Sequence, residues 1–179
     1  MFAIACALWL LLGARPARAD VSSWVFVGGG ASVLEQHALS ARTVPSMRLH
    51  FGMGSDPSRS FIVGGLFSLE PQFGYGSDLA LSVRTATHGY VNGNFGLALD
   101  LGGYERFWGE RSAGGTGTLW LGAPWGIALG AGASVGSHDA HGFSAILGID
   151  FARLTVYRSG GTSWFMNPFP IDRRAPPER

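Results

Sequence analysis

Asn94-Phe95-Gly96-Leu97-Ala98-Leu99-Asp100-Leu101-Gly102 alternates, residue by residue, a large apolar side chain with a small or polar one. Successive side chains of an extended strand point to opposite faces. Phe95, Leu97, Leu99 and Leu101 therefore line one face, and Gly96, Ala98, Asp100 and Gly102 the other. A helical period of 3.6 would scatter both sets around the axis, so the alternation reads as a strand. One face suits hydrocarbon, and the other is small enough to line a narrow interior.

The same alternation recurs between turn signals, which predicts eight strands at residues 24–34, 46–54, 61–69, 78–86, 93–102, 115–123, 126–136 and 142–151. Each has about the 9 to 11 residues that a tilted strand needs to cross a bilayer. The predicted lipid face carries Val25, Val27, Val33, Leu49, Phe51, Met53, Val63, Phe67, Leu81, Leu119, Leu129, Val135, Phe143, Leu147 and Ile149, and no charge. The opposite face collects Gly28, Gly30, Ser32, Arg48, His50, Gly64, Ser68, Arg84, Asp100, Gly130, Gly132, Ser144, Gly148 and Asp150. Lipid offers no hydrogen-bond partners, so a spanning sheet must close on itself. Eight strands close around an interior that side chains just fill, and the expected fold is an all-β, eight-stranded, antiparallel up-and-down transmembrane barrel.

Ahead of the barrel, an apolar run from Phe2 to Leu12 followed by Ala17-Arg18-Ala19 matches an export signal with a small-x-small cleavage site. Residues 1–19 are read as that signal, 20–157 as the barrel and 158–179 as a tail. An eleven-residue apolar core is short for a spanning helix, which needs ~20. The only cysteine, Cys6, falls in the signal, which leaves the mature chain without a thiol for disulfide, metal or nucleophile. Loss of Arg15 and Arg18 from 13 basic residues leaves 11 against 12 acidic ones, a net of −1. That balance excludes a basic nucleic-acid binder. In the tail, Trp164, Phe165, Met166 and Phe169 precede a charged, proline-containing end from Asp172 to Arg179. The aromatic part is expected at the inner interface or folded into the barrel mouth, and the charged end as disordered.

With the N-terminus periplasmic, the outer connections are predicted at 35–45, 70–77, 103–114 and 137–141, and the inner ones at 55–60, 87–92 and Pro124-Trp125. The two longest then fall outside, as is usual for such barrels. Trp24, Tyr75, Tyr90, Tyr104, Phe107 and Trp125 are expected to form the interfacial girdles. Trp120 falls on the inward phase, so either a bulge shifts register there or the indole fills the lumen.

On this pattern and strand count the chain resembles the small eight-stranded outer-membrane barrels, such as the transmembrane domain of outer-membrane protein A and its shorter relatives. The resemblance covers about residues 21–157. It implies a cell outer-membrane location, outer-membrane lipid as surroundings, and passage through periplasmic chaperones and the barrel assembly machinery. It also implies a last strand ending on an aromatic residue, a part that falls to Phe151.

The inward charges define the candidate site. Arg48, Glu70, Asp78 and Asp100 are placed in the outer half of the lumen, with His50 beside Arg48, and Arg84 and Asp150 in the inner half. Charges buried in a narrow lumen need partners, so Arg48, His50, Glu70, Arg84, Asp100 and Asp150 are read as a structural ion-pair network that plugs the barrel. His138, Asp139 and His141 share one connection and are metal-ligand types, but on a short polar loop they read as solvated, and no metal or cofactor is expected. Lipid A deacylases of this architecture carry His and Ser two residues apart. None of His37, His50, His88, His138 and His141 has Ser at that spacing. The palmitoyl transferases of similar size place an amphipathic helix before the barrel, and only Asp20 to Ser23 stand there. The glycine clusters 28–30 and 114–117 lack the Lys and Ser or Thr of a phosphate loop.

The expected function is a non-enzymatic, monomeric outer-membrane barrel with a structural or surface-interaction role and a mostly plugged lumen. A narrow passive channel, a lipocalin-like periplasmic ligand binder and a lipid A-modifying enzyme are the alternatives.

Overall fold

The structure, a computed structural model, describes residues 21–36, 39–109 and 111–155. The signal at 1–19, the start at Asp20 and the tail at 158–179 lie outside the described residues. Eight strands follow one another: β1 Ser22–Gln36, β2 Leu39–Gly54, β3 Phe61–Gln72, β4 Gly76–Thr87, β5 Gly96–Arg106, β6 Ser112–Gly122, β7 Ile127–Gly136 and β8 His141–Asp150. Each pairs antiparallel with the next, and β1 pairs with β8 from Phe26↔Asp150 to Glu35↔His141, which closes the barrel. Two short helices sit at the end where the chain enters and leaves, α1 at His88–Val91 and α2 at Phe151–Thr155. We call this the inner end.

The two faces separate as alternation demands. Leu97, Leu99, Leu129 and Leu147 point outward and are exposed, as are Val25, Phe51, Val83, Leu119 and Phe143. A soluble barrel built for an apolar ligand needs the reverse arrangement, so the lipocalin-like reading falls. The closed, uncharged apolar belt makes this a transmembrane barrel of the outer-membrane type. Along the outward faces of the strands, carboxylates stand near the outer rim, at Glu35 and Glu105, both exposed. The lower aromatic rim is Phe61, Phe95, Trp125 and Phe151, and the upper one Phe73, Phe107 and Phe143, all exposed.

Three expectations need correction. The outer connections are short: 37–38, 73–75, 107–111 and 137–140 hold two to five residues, whereas 55–60, 88–95 and 123–126 at the inner end hold four to eight. The residues expected in long outer loops continue the sheet instead, with β1 and β2 paired as far as Gln36↔Leu39. Pairing runs on because a strand leaving the sheet would strip partners from its N–H and C=O groups. Strands of 15 and 16 residues exceed the ~9 to 11 needed for hydrocarbon, and the excess stands above the membrane.

The girdle assignment also fails in part. Trp24 and Tyr90 are fully buried and Tyr104 nearly so, inside the barrel, while Phe107 and Trp125 are exposed; Tyr75 is partly buried against Trp108. The strand ends differ as well. β5 begins at Gly96, because Gly93 takes a positive φ of 73° and Asn94 N–H donates to Gly89 O at 2.9 Å, holding Asn94 and Phe95 in the turn. Phe151 is not in the last strand. Asp150 Oδ1 accepts from the N–H groups of Ala152 (3.0 Å) and Arg153 (3.2 Å), the bond pattern of a helix N-cap, and the chain turns into α2.

The remaining turns follow local chemistry. Asp56 Oδ1 accepts from Ser58 N–H at 2.8 Å, which holds its carboxyl below the usual value. His138 and Asp139 take positive φ of 58° and 51°, and Ala140 N–H returns to Ser137 O, a primed hairpin turn whose twist matches the strands. Turn formation thus accounts for these two residues, and among the described residues no group of three His, Cys, Asp or Glu is placed to hold a metal.

Leu147 lies mid-strand on the lipid face, opposite Leu129. Leu147→Arg is expected to cost about 2–4 kcal/mol of stability in vesicles, read by urea unfolding. An unchanged midpoint would mean that this face does not meet lipid.

Candidate functional site

The lumen is built in three tiers of inward side chains. In the innermost, Arg84 on β4 meets Asp100 on β5, its direct cross-strand neighbour. The pair is bidentate, Nε to Oδ1 at 2.6 Å and Nη2 to Oδ2 at 2.8 Å, the geometry in which a guanidinium holds a carboxylate best. Trp120 Nε1–H donates to the same Oδ2 at 2.7 Å. Arg84 Nη1 lies 3.2 Å from His50 Nε2. Since arginine only donates, this nitrogen accepts and the ring proton sits on Nδ1.

Aromatic rings enclose that cation. The Arg84 guanidinium lies 5.3 Å from the Trp24 ring, 5.6 Å from Tyr90 and 5.7 Å from Trp120, cation–π distances. Phe26 stacks on His50 at 4.7 Å, and Trp120 meets both rings edge-on. Trp24, Phe26, Arg84, Tyr90 and Trp120 expose 0–1% of their surface. Glycine makes this filling fit: a Cβ on Gly130 would stand 2.7 Å from Trp120 Cζ3, and one on Gly148 2.7 Å from Phe26 Cζ.

The middle tier is Arg48 on β2 with Glu70 on β3. Arg48 Nη2 and Nε both donate to Glu70 Oε2, the latter at 2.9 Å. Arg48 also reaches across the lumen, from Nη1 to Thr118 Oγ1 at 2.9 Å and from Nη2 to Ser144 Oγ at 3.3 Å. Ser32 Oγ–H donates to Glu70 Oε1 at 2.9 Å. Five strands are tied by one ion pair.

The outer tier pairs Arg106 on β5 with Asp78 on β4, Nη2 to Oδ2 at 2.9 Å, and Gln72 Nε2 donates to the same Oδ2 at 3.0 Å. Arg106 lies over the Trp108 ring at 4.8 Å. Between the tiers a cavity of about 50 Å³ is lined by Arg48, Glu70, Asp78, Arg106 and the hydroxyls of Ser32 and Thr116, among others. That is room for a few waters.

The structure thus brings together Arg48 with Glu70, and His50 with Arg84 and Asp100. Among the described residues Asp150 has no ion-pair partner: its Oδ1 accepts from the N–H groups of Val25, Ala152 and Arg153, and its buried Oδ2 finds no hydrogen bond there. Nor is Asp100 grouped with Arg48 in the outer half. Trp120 fills the lumen, and β6 pairs without a register shift.

Sequence reading missed Arg106, because β5 was ended at Gly102. The signal was present: the register that sets Arg84 opposite Asp100 also sets Arg106 opposite Asp78. It missed the interior placement of Trp24, Phe26 and Tyr90 as well, since alternation gives a face but not the depth at which a ring sits.

Breaking a buried pair strands a charge and costs about 3–5 kcal/mol, whereas replacing both partners by apolar groups is often neutral. Asp100→Asn is expected to lose that amount in urea unfolding. Arg84→Met with Asp100→Leu is expected to recover most of it, and simple additivity of the two sites would refute the coupling.

No protein-family model matches the chain, and no curated protein matches it in sequence. Among solved structures it is similar to the crystal structure of Ail, the attachment invasion locus protein of Yersinia pestis, in complex with the heparin analogue sucrose octasulfate. The identity is 11% and the TM-score 0.46, over 73% of this chain and 97% of that one. The assignment rests on this chain's own geometry: eight strands closed on themselves, aliphatic outside and charged within, form a small outer-membrane barrel.

Proposed function

We propose that this protein is a non-enzymatic outer-membrane barrel whose lumen is closed, and that it serves a structural or surface-interaction role through the sheet it raises above the membrane. The observation that carries the reading is the innermost tier. Trp24, Phe26, His50, Arg84 and Trp120 occupy the cross-section at 0–2% exposure. Each is held by stacking or by the Arg84–Asp100 pair, so solute passage requires dismantling a buried ion pair.

The extension of β1 and β2 above the apolar belt supports a surface role, since paired strands offer a firm platform where long loops would not. His50 supports the non-enzymatic reading. It is stacked on one face by Phe26, met edge-on by Trp120 and engaged by Arg84, away from both lipid and solvent. His88 at the inner end is bound to Pro57 O and Asn92. A buried, fully enclosed imidazole has no route to a lipid ester.

The test is planar-bilayer recording of the mature chain. No unitary conductance is expected from the native protein, and discrete steps from Arg84→Ser combined with Trp120→Gly, which empties the innermost tier. Steady conductance of the native protein would favour the narrow-channel reading. Release of fatty acid from lipid A by the purified protein would overturn the non-enzymatic one.

A further inference from the structure

The inner mouth is closed by a different device from the lumen itself, and the device centres on one residue. Arg153 lies in α2, after the barrel has ended, and only 1% of it is exposed. Its side chain turns back across the mouth and donates to four backbone carbonyls: Nε to Tyr90 O at 2.5 Å, Nη2 to Asn94 O at 3.0 Å and to Ala123 O at 2.9 Å, and Nη1 to Ile127 O at 2.9 Å. The guanidinium also lies 4.5 Å from the Tyr90 ring.

These acceptors belong to two connections. Tyr90 and Asn94 lie in the 88–95 segment between β4 and β5, and Ala123 and Ile127 flank the tight turn between β6 and β7. Neither connection is joined to the other, or to α2, by strand pairing. Carbonyls at turns lack the sheet partners of the strands, and a rigid fork of five donors can satisfy several at once. Asp150 aims the fork, because its carboxylate caps the turn that carries Arg153. The 88–95 segment in turn inserts Tyr90 and Val91 into the mouth, both fully buried.

We propose that Arg153 is a latch: beside the packing of Leu154 on Gly126, it ties both inner connections to the segment after β8, and holds Tyr90 and Val91 in place as a releasable inner lid. At the outer end the cavity is bordered by side chains of the strands, while Trp108 and Tyr75 from two outer connections pack on Leu34 and Val44, and no arginine among the described residues gathers turn carbonyls there as Arg153 does. Reagents would therefore reach Val91 from the inner side only once Arg153 is withdrawn. This holds whether or not the lumen conducts.

The experiment uses thiol labelling, because Cys6 is the sole cysteine and lies in the predicted signal. Val91→Cys is introduced into the mature chain, and its reaction with a water-soluble, membrane-impermeant maleimide is timed in folded protein, with and without Arg153→Gln. Labelling is expected to be slow with Arg153 and about tenfold faster or more without it, as expected for local opening. Ser134→Cys, in the outer cavity, is expected to label equally in both backgrounds. Gly122→Ala provides the second route: a Cβ there would stand 2.6 Å from Arg153 Nη2 and 2.7 Å from Tyr90 Cδ2, displacing the guanidinium with its charge intact. It decides the matter if Arg153→Gln does not fold. Equal Val91→Cys rates with and without the displaced latch would overturn the proposal, and so would a matching rise at Ser134→Cys, which would mean general loosening.

Discussion

In hydrocarbon a backbone amide finds no partner outside the protein, so everything in this molecule depends on the pairing of β1 with β8. Ten residue pairs from Phe26↔Asp150 to Glu35↔His141 remove the two edges an open eight-stranded sheet would present to lipid. Closure then dictates the rest. It fixes which half of each alternating strand looks inward, and it limits the inside to a bore that side chains can fill.

Filling that bore sets a second problem, because the inward residues are a mixture of glycine, hydroxyls, aromatics and charges. Size is solved by placing rings against glycine, as Trp120 is placed over Gly130 and Phe26 beside Gly148. Charge is solved by stacking three arginine–carboxylate pairs along the axis, Arg84 with Asp100, Arg48 with Glu70 and Arg106 with Asp78. Glu70 and Asp78 are direct cross-strand neighbours and would repel, but each is engaged by its own guanidinium. Like-charged neighbours are tolerated here because the cations arrive from other strands.

The two ends of the barrel are finished by different means. The outer end continues the sheet into short turns, so its rim inherits the rigidity of strands. The inner end has the longer connections and two short helices, which have no ladder to hold them. Side-chain contacts replace it, with Asp150 capping α2 and Arg153 gathering turn carbonyls. The asymmetry places firmness where a surface contact would act and adjustability on the opposite side.

The alternation in Asn94–Gly102 and its seven counterparts determined the strand count, the antiparallel closed sheet and the identity of the lipid face, because a period of two is local and each strand reports it independently. The inward set that included Arg48, His50, Arg84 and Asp100 was legible for the same reason. Tertiary structure alone decided which carboxylate meets which arginine, since partnership depends on register and on contacts across the lumen: Asp100 goes to Arg84, and Arg106 joins only because β4 and β5 stay paired past Gly102. It also decided the fate of the strand ends. Whether a chain leaves a sheet depends on competing partners for its backbone, and these come from elsewhere in the fold. Pairing with β2 kept β1 extended to Gln36, and capping by Asp150 withdrew Phe151 from β8. Trp24 and Tyr90 went inside rather than to the interface because the closed bore had room that only rings could fill.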